Sequence, residues 1–172
     1  MMIGKLRERR MAYPAVLAVL MLGLVSVALG AEAGEISRSG QSFHHKLKFE
    51  PVEVGDVEGH IVAVYEEEGI VTFSDGQVAE FKNSGTLDYV NWEGVHRGYH
   101  TVTFKDGSTH TTRYEGTSKK TPEGRVTTGT HTYVGGTGKF SGIKGEGSYR
   151  GINHKNNKMN IHTWEEKITL SD

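Results

Sequence analysis

The sequence predicts an all-β protein, a single-domain, eight-stranded antiparallel β-barrel. Three observations carry this prediction. Apolar and polar residues alternate with period two in short runs from Phe43 to the C-terminus, the pattern of half-buried strands. Asp75-Gly76 and Asp106-Gly107 each separate two such runs, a strong hairpin signal. The last third of the chain is rich in glycine, and Gly145, Gly147, Tyr149 and Gly151 fall on one strand face. A face that is bare except for one tyrosine suits a small, strongly curved barrel. No window after residue 30 has a helical period, and β-branched and aromatic residues dominate the alternating runs.

Residues 1–30 read as a secretory signal peptide. Lys5, Arg7, Arg9 and Arg10 form a basic start, Ala15 to Leu29 is apolar, and Ala28-Leu29-Gly30 supplies small residues for cleavage after Gly30, with Ala33 as an alternative. Met11 to Leu29 is barely long enough to span a bilayer, so cleavage is favoured over a retained anchor. The expected location is secreted or periplasmic, with no stable membrane anchor. This segment holds four of the 20 basic and one of the 21 acidic residues, leaving 16 against 20 and a net charge of −4. That balance argues against nucleic acid and anionic membranes as partners. There is no cysteine, so a core rather than disulfides must hold the domain.

Taken in order, residues 31–42 are small and polar and predict a disordered leader, with the barrel domain over 43–172. Phe43–Glu50 is the first strand, with Phe43, His45, Leu47 and Phe49 on one face and Pro51 at its end. His60–Glu66 is apolar on both faces, which predicts a covered outer face and self-association. Ile70–Phe73 and Gln77–Phe81 form the first Asp-Gly hairpin, and Gly85–Trp92 follows, with Leu87 and Tyr89 on one face. Val95–Lys105 and Ser108–Thr117 form the second hairpin. Thr130–Val134, Glu146–Ile152 and Met159–Leu170 complete the chain.

The chemistry-bearing residues form no convergent set at this level. Gly136-Thr137-Gly138-Lys139 lacks the spacing of a phosphate loop and is followed by no helix. Nine histidines raise the question of a metal. With a two-residue loop at Asp106-Gly107, His100 pairs with Arg113 and His110 with Thr103, on opposite faces, so the reading is of scattered surface histidines and no metal site. Glu66-Glu67-Glu68 reads as a solvated turn. Glu166 shares a strand face with His162, Trp164, Ile168 and Leu170. If that face lines the barrel, Glu166 is a buried acid with a raised pKa. In the same register Tyr99 and Tyr114 share a face with Thr101, Thr103, His110 and Thr112, opposite Val102 and Phe104. An apolar interior selects the second face and a polar lumen the first, and packed interiors are the rule in small barrels.

The run Tyr133-Val134-Gly135-Gly136-Thr137-Gly138-Lys139-Phe140-Ser141-Gly142, followed by Gly145-x-Gly147-x-Tyr149, resembles the allene oxide cyclase-like, or dirigent-like, barrel family and most of all its bacterial secreted branch. Val54-Gly55-Asp56-Val57 adds a weaker match. The resemblance implies an eight-stranded barrel with a lumen and, for an enzyme, a cofactor-free isomerase or cyclase acting on a small apolar substrate there. No catalytic residue transfers by motif. The function expected from the residues is non-catalytic, with no cofactor: a secreted barrel that takes a small apolar ligand against Tyr149, Trp164 and Glu166.

Overall fold

The computed structural model describes residues 34–122, 124–154 and 159–170. The expected signal peptide lies outside the described residues. Eight strands close into one antiparallel barrel in sequence order: β1 (Ile36–Glu53), β2 (His60–Phe73), β3 (Val78–Val90), β4 (Glu93–Thr103), β5 (Thr109–Thr121), β6 (Gly124–Gly136), β7 (Lys144–His154) and β8 (Met159–Thr169). β8 pairs with β1 from Ile36↔Ile168 to His45↔Met159 and closes the ring. Among the described residues no helix is long and apolar enough to cross a membrane.

Three local expectations need correction. β1 begins at Ile36, so residues 36–42 belong to the barrel and not to a leader. Their small polar side chains suit a linker, but the β8 ladder holds them from Ile36 and the β2 ladder joins it from Gly40. Glu66-Glu67-Glu68 is not a turn but the middle of β2, which joins two expected runs into one strand, as β3 also does. The like charges are tolerated because Glu66 faces Lys48 and Glu68 faces Lys82 across the ladders. Both Asp-Gly hairpins have three-residue loops. Phe104 N–H donates to the Ser108 carbonyl and Gly107 N–H to the Phe104 carbonyl, with Gly107 at φ 80°, the αL position of such a loop. Val102 therefore pairs with His110 and His100 with Thr112. The one-residue change in register brings His110, Thr112 and Tyr114 to the face of His96, His100, Val102 and Phe104, which is inside, while Tyr99 is exposed.

The interior is layered along the barrel axis. One end is an apolar floor. Phe73, Phe104, Phe140, Ile143 and Ile168 are buried there, with ring centroids of Phe73 and Phe104 5.4 Å apart and of Phe104 and Phe140 4.7 Å apart. Phe140 sits on the 3-10 turn Gly138–Phe140 in the β6–β7 connection. The glycine motif thus serves to fold a phenylalanine under the barrel. Towards the other end Ala63, Tyr65, Leu87 and Tyr89 form a second cluster with Phe49 and Ile61. Val62 and Val64 point outward and are exposed on the single chain.

Inward glycines make room for aromatic tips between these layers. A Cβ on Gly116 or Gly129 would strike the Tyr149 hydroxyl, one on Gly85 or Gly98 the Tyr114 hydroxyl, and one on Gly151 the His162 ring. At Gly147 it would meet the Glu165 carbonyl oxygen, with the Glu166 Cβ and the His131 Cε1 each at 2.7 Å. Backbone cannot yield as a side-chain tip does. Gly147→Val should therefore cost at least about 1–3 kcal/mol despite its better β-propensity. Thermal midpoints of the two proteins check this. An unchanged or higher midpoint would show that the β7 glycine face is not packed.

Candidate functional site

Between the two apolar layers lies a cavity of about 120 Å³ walled by side chains from all eight strands. Six of the nine histidines line it, namely His44, His96, His100, His110, His131 and His162. This overturns the reading of scattered surface histidines, which rested on the two-residue loop. Among the described residues no group of three His, Cys, Asp or Glu side chains is placed to hold a metal.

Two buried carboxylates organise the polar belt. Glu166 Oε1 accepts from Arg38 Nε at 2.9 Å and Nη2 at 2.6 Å and from the Tyr133 hydroxyl at 2.8 Å. Its Oε2 accepts from His131 Nε2 at 3.0 Å. Burial pushes the Glu166 carboxyl up, but the His131 hydrogen bond, the Arg38 charge and the Tyr133 hydroxyl outweigh it and hold the pKa below the usual value. The expected raised pKa is thus corrected. The cause is first His131 and then Arg38, which comes from the segment expected to be a leader.

Glu67 is the second carboxylate. Its Oε2 lies 3.0 Å from His44 Nδ1 and accepts from Asn83 Nδ2 at 2.9 Å, and its Oε1 accepts from Asn160 Nδ2 at 3.1 Å. Burial works against the charge, yet His44 and Asn83 bring the pKa down to about 2. Tyr114 donates to Asn83 Oδ1 at 2.8 Å, and the Tyr65 hydroxyl is 2.7 Å from that of Tyr114. Each donor in this chain fixes the next, so the carboxylate orientation is set by residues of five strands.

Four of the six cavity imidazoles have pKa values held below the usual range. Burial lowers His96 and His110 to about 4 and His100 and His162 to about 3, with nearby positive groups adding to the effect. His96 Nε2 lies 2.7 Å from the Tyr149 hydroxyl, and the Tyr149 and His162 rings stack at 5.9 Å. Other buried donors and acceptors have no hydrogen-bond partner among the described residues: His44 Nε2, both nitrogens of His110, His162 Nε2 and Trp164 Nε1.

The three residues singled out from the sequence, Tyr149, Trp164 and Glu166, stand in the wall of this one cavity. Sequence reasoning missed Glu67, the histidines, Asn83, Asn160 and Arg38. Strand parity carries the missing signal. His96 and His100 share the face of Val102 and Phe104 by parity alone, and the correct loop length adds His110.

No protein-family model matches the chain, and no curated protein matches it. Among solved structures the barrel is similar to the pterocarpan synthase dirigent protein GePTS1, with TM-score 0.51 and 17% identity over 90% of this chain and 100% of that one. The pterocarpan synthase dirigent protein PsPTS1 aligns with TM-score 0.48 and 17% identity over 81% of this chain and 97% of that one. At this identity the first likeness is one of fold. The chain has the dirigent-like, eight-stranded barrel that its glycine motif resembles.

Proposed function

We propose that this barrel binds one small, ring-containing molecule in its lumen through hydrogen bonds from inward imidazole, indole and phenol groups. The observation that carries this reading is the set of unpartnered nitrogens on His44, His110, His162 and Trp164 around a cavity of about 120 Å³. Buried polar atoms without partners are costly, and a ligand that pairs with them recovers that free energy. The volume is on the order of an engineered protein cavity of about 150 Å³ that accepts benzene. The polar belt favours a ligand bearing hydrogen-bonding groups over a wholly apolar one. Native mass spectrometry and thermal shift with phenol, benzamide and toluene test this. One-to-one complexes and a raised midpoint are expected with phenol and benzamide. Binding of toluene alone, or of none of the three, contradicts it.

A second reading is a cofactor-free isomerase or cyclase, and the geometry of His44 favours it. A carboxylate that holds the Nδ1 proton leaves Nε2 as a proton acceptor, and His44 Nε2 is unpartnered beside the cavity. Deuterium exchange at the α-carbon of phenylacetone probes such a base. Exchange as fast in Glu67→Gln as in the native protein removes this reading. Export is proposed as well, from the signal-like residues 1–30, and it fits the bacterial secreted branch that the motif resembles. A product that stays in the cytoplasm with Met1 at its N-terminus contradicts it.

A further inference from the structure

We infer that the ligand of this lumen is an organic anion, its ring among the imidazoles and its negative group held by Lys46 and Arg125. The inference rests on the reading of the lumen as a binding site and names the chemical class that the site takes. Lys46 of β1 and Arg125 of β6 both line the cavity, away from the apolar floor. Lys46 is exposed as well, so the cavity reaches solvent there.

Neither cation has a carboxylate within ion-pair distance among the described residues. Each is placed by aromatic faces instead. The Lys46 ammonium lies 4.2 Å from the Phe49 ring centroid. The Arg125 guanidinium lies 5.5 Å from that of Tyr89 and 5.9 Å from that of Trp92. A ring face attracts the charge but leaves N–H donors unsatisfied, and Arg125 Nε is buried without a partner.

The two cations also repel. Partial burial does most to lower the Lys46 pKa; the Glu67 charge opposes it, and the Arg125 charge adds a smaller lowering. Glu67 is the acid whose charge reaches Lys46, but its oxygens are already engaged by His44, Asn83 and Asn160. Two like charges beside one cavity are an unfavourable pair that a bound anion converts into a favourable triad. The deeper histidines whose pKa values are lowered carry no compensating positive charge near neutral pH, so the mouth is where a negative group is held. The cavity volume limits the ligand to about one ring with a short anionic arm.

Calorimetric titration of the barrel with benzoate and with its neutral isostere benzamide at pH 7 tests the inference. Benzoate should bind at least tenfold more tightly, and its affinity should fall as salt is added. The advantage should disappear in Arg125→Gln and shrink in Lys46→Gln. Lys46 is exposed, so its variant reports even where Arg125→Gln fails to fold. Equal affinities for the two probes, or a benzoate advantage untouched in Lys46→Gln, overturn the anion site and leave the lumenal reading standing. If neither probe nor phenol binds, both fall.

Discussion

Lowering the pH from 7 to 4.5 should unfold this barrel. The cause is the set of neutral imidazoles. His96 and His110 are held at about 4, and His100 and His162 at about 3, against about 6.5 in an unfolded chain. Above pH 6.5 both states are neutral and these groups contribute nothing to the pH dependence. Below it the unfolded chain takes up protons that the native barrel refuses, so stability falls as pH falls. Four such groups give a slope approaching about 5 kcal/mol per pH unit, or roughly 8 kcal/mol lost by pH 5. That is comparable with the whole stability of a typical domain. The carboxylates act in a different window. The Glu67 pKa is depressed to about 2, so its contribution is complete above about pH 4.5 and is lost only below it. Tryptophan fluorescence and near-ultraviolet circular dichroism against pH should show one cooperative transition between pH 6 and 4.5. A barrel still native at pH 4 would mean that these histidines titrate normally in contact with solvent.

Glu166→Ala should lower the thermal midpoint by roughly 10–20 °C, corresponding to about 3–5 kcal/mol. The substitution strands Arg38, whose side chain is 16% exposed, and His131, at 6%, without their carboxylate. It also removes the acceptor of the Tyr133 hydroxyl. The double variant Arg38→Met, Glu166→Leu should recover much of the loss, because an apolar pair of similar bulk needs no desolvated charge. A single-variant effect within about 0.5 kcal/mol, the range of ordinary surface positions, would mean that the cluster is solvated and loosely held.

The barrel and its β7 face were legible in the sequence because they depend on local parity. Gly145, Gly147, Tyr149 and Gly151 need only the period of two, and no bulge interrupts them. The β4–β5 hairpin was misread by one residue because Asp-Gly is compatible with loops of two and of three residues. Only the native hydrogen bond from Gly107 to Phe104 tells them apart, and in a strand one residue exchanges inside for outside. The role of Glu67 is illegible for a different reason. Its partner His44 lies on β1, whose register shifts between Lys46 and Lys48, and nothing local announces that bulge. The lowered pKa of Glu166 depends on His131, 35 residues away in sequence, and on Arg38, 128 residues away. Long-range pairing of this kind is fixed by closure of the barrel, not by any segment alone.

The central claim is that the lumen is a chamber of neutral imidazoles that receives a small molecule. Long-range proton–nitrogen correlation spectra of the histidine side chains at pH 6, recorded without and with saturating benzamide, test it most directly. His96, His100, His110 and His162 should each show the nitrogen shifts of a neutral ring, and the His110 and His162 signals should move when benzamide is added. Nine imidazoles titrating together near pH 6.5, none of them responding to benzamide, would contradict it.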